Sequence, residues 1–130
     1  MKVSHVALAV RDLNISKKFY DDLFDMKLIF NGEKAETHVK FMQLKDDDGF
    51  VIELWENNTA EPLTENLKDL GKIGVKHVAF EVANVDEFMK KVEKVHANVL
   101  APIKQGTYVK RYFYITDPDN IPIELFESRE

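Results

Sequence analysis

The chain has no cysteine among its 130 residues, which excludes a disulfide framework, a thiolate metal site and a cysteine nucleophile. Any metal must therefore be held by His, Asp or Glu. Glycine and proline are scarce, at five and four residues, so a collagenous, linker-like or low-complexity chain is excluded as well. Basic charge is lacking too: 18 Lys and Arg stand against 23 Asp and Glu, for a formal charge of −5 with the two signs interspersed. No stripe of cations is available to neutralise phosphates, which argues against nucleic acid as a partner. No apolar run approaches the ~20 residues of a membrane-spanning helix. The opening MKVSHVALAV is interrupted by His5 and followed by Arg11 and Asp12. No leader or membrane anchor is expected, and a cytoplasmic location is the default expectation.

What is present is a globular composition, 45% hydrophobic and 32% charged, in a chain of single-domain length. Residues 1–130 are expected to fold as one domain. Within it a phrase occurs twice: VSHVALAV at 3–10 and VKHVAFEV at 75–82. A shift of 72 residues lays Val3, His5, Val6, Ala7 and Val10 on Val75, His77, Val78, Ala79 and Val82. A shift of 71 lays VIELWE (51–56) on PIELFE (122–127), so that Glu53 meets Glu124 and Trp55 meets Phe126. Each half opens with a histidine strand and closes with a glutamate strand.

Between those ends both halves follow one grammar. Asp12 and Asn84 are good helix N-caps. They precede amphipathic runs in which Ile15, Phe19 and Leu23, then Val85, Phe88, Val92 and Val95, recur at helical spacing. Two strand-like stretches follow in each half, about 26–31 and 38–45, then about 98–103 and 108–116, punctuated by NGE, DDDG and DPDN turns. The pattern predicts an α+β fold of two βαβββ modules, about 1–56 and 75–130, forming a curved mixed β-sheet cup with helices on its outer face. The connector, about 57–74, is expected to hold a short helix running from near Pro62 to Gly71.

Strand alternation then assigns faces. The bulky residues Val6, Leu8 and Val10 face the helix, which puts His5 beside small residues on the open face, and the same count does so for His77. Glu53 and Glu124 oppose Ile52/Leu54 and Ile123/Leu125, so each shares the open face with an aromatic residue. A mid-strand glutamate in an apolar setting is costly unless paired or metal-bound. Two histidines and two glutamates in a duplicated pattern suit a divalent ion of the Ni, Zn, Co, Mn or Fe kind better than Ca or Mg alone. By alternation Tyr108, Lys110, Tyr112, Tyr114 and Thr116 share the face of Glu124, and Tyr112 and Tyr114, with Trp55 and Lys104, are candidates for an organic-substrate pocket. His38 and His96 break the repeat and read as surface residues, and Asp46 to Asp48 as a solvated turn.

The segments SHVALAVRDLNISKKFYDDLF, VIELWE, KHVAFEV and YFYITDPDNIPIELFE together resemble the vicinal oxygen chelate superfamily, whose members include glyoxalase I, extradiol dioxygenases and the fosfomycin and bleomycin resistance proteins. The resemblance covers essentially the whole chain. It implies that His5, Glu53, His77 and Glu124 are metal ligands, with Glu124 as the catalytic base and Glu53 as its symmetric counterpart. A glutamate at 53 is closest to the glyoxalase I pattern, which implies a lyase or isomerase acting on a small substrate chelated through adjacent oxygens. The alternatives are an extradiol-type dioxygenase with the His5, His77, Glu124 triad, or a fosfomycin- or bleomycin-resistance-type transferase or binding protein. Where glyoxalase I-like proteins carry arginines for the glutathione carboxylate this chain has Ala9 and Ile73, and where fosfomycin transferases carry a threonine it has Ala7. By resemblance the protein is a homodimer with a small-molecule substrate, without nucleic-acid or membrane partners.

Overall fold

A computed structural model describes residues 1–64 and 70–130. The connector helix expected from near Pro62 to Gly71 spans residues 65–69, which lie outside the described residues. The chain divides into two units, Met1–Glu61 and Pro62–Glu130. The first contains β1 (His5–Val10), α1 (Leu13–Phe24), β2 (Lys27–Glu33), β3 (Lys40–Lys45) and β4 (Val51–Glu56). The second contains β5 (Val78–Glu81), α2 (Val85–Lys94), β6 (Asn98–Gln105), β7 (Arg111–Thr116) and β8 (Pro122–Glu127). The expected βαβββ unit thus occurs twice. Among the described residues no helix is long and apolar enough to cross a membrane.

Both helices start as their sequences dictate. The Asp12 carboxylate accepts from the Ile15 N–H and the Asn84 side chain from the Glu87 N–H, each at 3.0 Å, which satisfies one of the orphan donors of the first turn. The α1 stripe is a correction to the expected one. Leu13, Ser16, Tyr20 and Leu23 are buried, whereas Ile15 is 58% exposed. Both sets have helical spacing, and the chosen one buries the larger Tyr20 while Ser16 lets the helix lie close to its sheet. In α2 Val85, Phe88 and Val92 are buried as expected, whereas Val95 is the C-cap and is 40% exposed.

Each sheet is mixed, with orders β1-β4-β3-β2 and β5-β8-β7-β6. The first and last strands of each unit pair in parallel and the other neighbours antiparallel. The helix-side face is the core, with Leu44, Ile52 and Leu54 in one unit and Phe113, Ile115 and Leu125 in the other fully buried. The final glutamate of each closing strand ties strand to helix. Glu56 Oε2 accepts from the Leu13 N–H at 3.0 Å, and Glu127 Oε2 from the Val85 N–H at 3.1 Å. A carboxylate at a helix N-terminus is favoured by the helix dipole as well as by the hydrogen bond.

The strand expected over 108–116 begins only at Arg111, and residues 106–110 form a turn closed by Gly106 N–H donating to Lys110 O at 3.1 Å. A Cβ on Gly106 would meet the Val109 carbonyl oxygen at 2.6 Å, so the turn requires glycine there. Tyr108 therefore leaves the regular alternation and is 92% exposed.

The Val85 N–H, and then the Arg111 guanidinium 2.8 Å away, hold the Glu127 carboxyl below its ordinary pKa. A depressed folded-state value adds stability above the unfolded pKa, and that stability is lost as pH falls through the folded value. Urea denaturation across pH 7 to 3 is expected to show a stability loss below about pH 4.5. Glu127→Gln should be less stable at pH 7 and lose less on acidification.

Candidate active site

Parallel pairing sets Ala7 opposite Glu53 and Ala79 opposite Glu124. The methyl groups leave room beside each carboxylate, and the histidine two residues earlier on the same face reaches into it. In the first unit His5 Nε2 lies 3.9 Å from Glu53 Oε2. Ser4 Oγ is bonded to His5 Nδ1 at 2.9 Å, which turns Nε2 towards the glutamate. In the second unit His77 Nε2 lies 3.0 Å from Glu124 Oε2, with His77 just ahead of β5. Among the described residues no group of three or more His, Asp or Glu side chains is gathered to hold a metal. Each unit gathers one histidine and one glutamate.

The two carboxylates have different neighbours. Glu53 is 8% exposed, and both its oxygens accept hydrogen bonds at 2.7 Å, Oε1 from Trp55 Nε1 and Oε2 from Gln43 Nε2. Buried carboxylates require such donors. Gln43 stands directly opposite Glu53, and Tyr114 stands at the same place opposite Glu124. The Tyr114 ring meets His77 edge-on, with centroids 5.4 Å apart, and Tyr112 meets Tyr114 in the same manner at 5.8 Å. Burial, and then the adjacent Glu124 charge, push the Tyr114 hydroxyl up to about 12. It is thus a neutral phenol at ordinary pH, able to donate to Glu124.

Tyr112, Tyr114 and Lys104 line a cavity of about 540 Å³ in the second unit together with Lys76, His77 and Glu124. Tyr108 also reaches it, from the turn and not from a strand. Trp55 belongs to the first unit, beside Glu53. His38 and His96 are exposed, as expected. The residues that the sequence reading passed over are Ser4, Gln43, Phe41 and Lys76. The signal for Gln43 and Phe41 was in the repeat, since the shift of 71 lays them on Tyr114 and Tyr112. Ser4 and Lys76 flank the two histidines and carry no periodic signal.

The chain is similar to several known proteins. A family model described as Glyoxalase/Bleomycin resistance protein/Dioxygenase superfamily matches residues 2–125. A lactoylglutathione lyase of Neisseria meningitidis serogroup B is 30% identical over 99% of this chain and 92% of that protein. A crystal structure of a glyoxylase/bleomycin resistance protein/dioxygenase domain from Frankia sp. EAN1pec superposes with a TM-score of 0.81 at 26% identity, covering 100% and 93% of the two chains. A fosfomycin resistance protein from Listeria monocytogenes, FosX, whose structure contains Mn(II), shares the fold with a TM-score of 0.74 at 23% identity, covering 98% and 93%.

Alkaline titration of metal-free protein, followed by tyrosinate absorbance, checks the Tyr114 environment. The difference between wild type and Tyr114→Phe is expected to be a single transition centred near pH 12. A difference centred near the ordinary value of about 10 would mean that the phenol is neither buried nor beside the Glu124 carboxylate.

Proposed function

The chain belongs to the glyoxalase/bleomycin resistance protein/dioxygenase superfamily, and from that premise we propose that it is a metal-dependent lyase or isomerase of the glyoxalase I type. Its substrate is a small molecule that chelates through adjacent oxygens, and the protein acts as a cytoplasmic homodimer. The observation that carries this reading is the recurrence of one imidazole and one carboxylate at the same register on the open face of each unit.

Each unit contributes one pair of metal ligands to this reading, His5 with Glu53 and His77 with Glu124. Two imidazoles and two carboxylates fit a divalent ion of the Ni, Zn, Co, Mn or Fe kind. When bound, such an ion supplies Lewis acidity that polarises the substrate oxygens and acidifies the adjoining C–H bond. The protein's own groups move the proton. Glu124 takes it from one carbon and returns it to the neighbouring one, which leaves the overall composition of the substrate unchanged. Glu53 suits the fixed role, because N–H donors engage both of its oxygens and neither donor can accept a proton from it. Glu124 instead faces the Tyr114 hydroxyl and His77, and a phenol can reorient as the carboxyl gains and loses its proton. The cavity beside Glu124 receives the organic part of the substrate between Tyr112 and Tyr114, with the Lys104 ammonium at its wall. Ala9 and Ile73 offer no cation to a glutathione carboxylate.

Elemental mass spectrometry on protein prepared without chelator or affinity tag tests the site. Stoichiometric nickel, zinc, cobalt or manganese is expected in the wild type. Glu53→Ala should bind that metal at least ~10-fold more weakly and be inactive with thiol adducts of 2-oxoaldehydes. Iron retained undiminished in Glu53→Ala, with oxygen uptake on a catechol, would replace this reading with a three-ligand dioxygenase.

A further inference from the structure

Trp55 and Gln43 do more beside Glu53 than satisfy a buried charge. Glu53 and Trp55 stand on one face of β4 with their Cα atoms about 6.6 Å apart, so the indole must lean back along the strand for Nε1 to reach Oε1 at 2.7 Å. A tryptophan free to choose its rotamer has other directions open to it. On one side β1 offers only Ala9 opposite Trp55. On the other, Phe41 of β3 stands directly opposite and stacks on the indole, with centroids 5.2 Å apart and an interplanar angle of 17°. Phe30 of β2 packs in turn on Phe41, at 5.5 Å and 30°, and Lys34 Nζ stands 4.3 Å from the centre of the indole ring. Such aromatic and cation–π contacts favour one ring orientation over the others.

Two local irregularities build the stack. The β2–β3 register shifts between Leu28 and Phe30, so that Leu28 pairs with Leu44 but Phe30 pairs with Gln43. Without that bulge Phe30 would fall opposite Met42 on the core face. Gly32 then makes space, because a Cβ there would meet the Phe30 ring at 2.7 Å and the Phe41 ring at 3.3 Å. The bulge also sets Phe30 opposite the second donor, Gln43, whose Nε2 bonds Glu53 Oε2 at 2.7 Å. The duplicated half supplies the contrast. Phe126 stands there at the place of Trp55, and Tyr114 at the place of Gln43, so a ring is kept beside Glu124 but the indole N–H and the amide are not.

We infer that Trp55 and Gln43 are positioning residues for the Glu53 carboxylate, with Phe41, Phe30 and Lys34 aiming the indole, and that this support strengthens the hold of Glu53 on a divalent ion. The inference rests on the proposed function in one respect, that Glu53 is a metal ligand; the aiming of the indole requires no metal. Donors that fix the orientation of a ligating carboxylate remove the cost of ordering it on binding. Trp55 thus acts through Glu53 and not by touching substrate.

The chain has a single tryptophan and hence one indole N–H resonance, so heteronuclear magnetic resonance spectra of the full chain read the contact directly. In metal-free wild type that N–H is expected to exchange with solvent at least ~10-fold more slowly than in Glu53→Ala. Phe41→Leu should speed the exchange towards the Glu53→Ala rate, and Phe41→Tyr, which keeps a ring in the stack, should restore the slow one. Zinc added to the wild type is expected to move the indole resonance. Trp55→Phe, which keeps a ring and deletes the N–H, and Gln43→Leu should each bind zinc about 10-fold more weakly. Circular dichroism verifies that each variant folds, and Gln43→Leu with Phe41→Leu keeps the test decisive if Trp55→Phe does not. Lowered melting temperatures with unchanged zinc affinity would assign both residues a structural role only and overturn the inference. So would equal indole exchange in wild type and Glu53→Ala. The two readings fail separately. A protected indole in a wild type that binds no zinc keeps the aiming of Trp55 and removes the metal site. Zinc binding by a wild type whose indole exchanges as fast as in Glu53→Ala keeps the metal site and removes the positioning role.

Discussion

Parallel pairing of the first strand of each unit with its last is the constraint from which the rest of the structure follows. A parallel pair cannot be joined by a tight turn, so the chain must leave, cross over through a helix and return through two more strands. That requirement makes a βαβββ unit out of strands whose partners, His5 with Val51 and Val78 with Ile123, lie 46 and 45 residues apart. The pairing also fixes the chemistry. Once Val10, Ile52 and Leu54 are buried against α1, the two-residue period of a strand leaves His5 and Glu53 no face but the open one. A slip by one residue would drive the glutamate into the core, where an unpaired carboxylate costs several kcal/mol. Glu56 and Glu127 lock the arrangement by reaching from the end of the returning strand to the first N–H of the helix.

The alanines opposite the two glutamates matter as much as the glutamates do. A larger residue at Ala7 or Ala79 would fill the space through which each histidine approaches its carboxylate. Duplication has kept this minimal geometry in both halves. The surroundings have diverged, because the cross-strand neighbours are free to change while the register holds. Gln43 in one half corresponds to Tyr114 in the other, and Trp55 to Phe126. One carboxylate is consequently held by two N–H donors and the other faces a phenol. The halves thus present the same His/Glu pair with different hydrogen-bonding neighbours. Their surroundings differ as well: a cavity with tyrosines and two lysines in the second unit, and the packed rings of Phe30, Phe41 and Trp55 with one lysine in the first.

Helix starts, strand order within the repeat and the face occupied by each histidine and glutamate were legible in the sequence, because each rests on a short-range rule. An Asp or Asn N-cap acts within three residues, and alternation acts at every second one. What escaped the sequence reading has a common cause. The α1 stripe admits two solutions at helical spacing, and only packing against β3 and β4 selects Tyr20 over Ile15. The turn at 106–110 resembles a continuing strand until the approach of Val109 to Gly106 is known. Regular pairing from Leu28 would set Phe30 opposite Met42 on the core face, and a single bulge moves it opposite Gln43. The bond of Gln43 to Glu53 depends on cross-strand register, which joins residues 43 and 53 through a hairpin and not through any local pattern.

The sequence by itself determined the duplication, the α+β class, the absence of thiolate chemistry and the His/Glu pairs, since identity at a constant shift and a two-residue period survive without coordinates. Tertiary structure decided how each pair is dressed: which oxygen meets which donor, which rings line up and where a cavity opens. Those outcomes are set by distances between strands remote in sequence, and a bulge or a turn of one residue changes them without leaving a periodic trace.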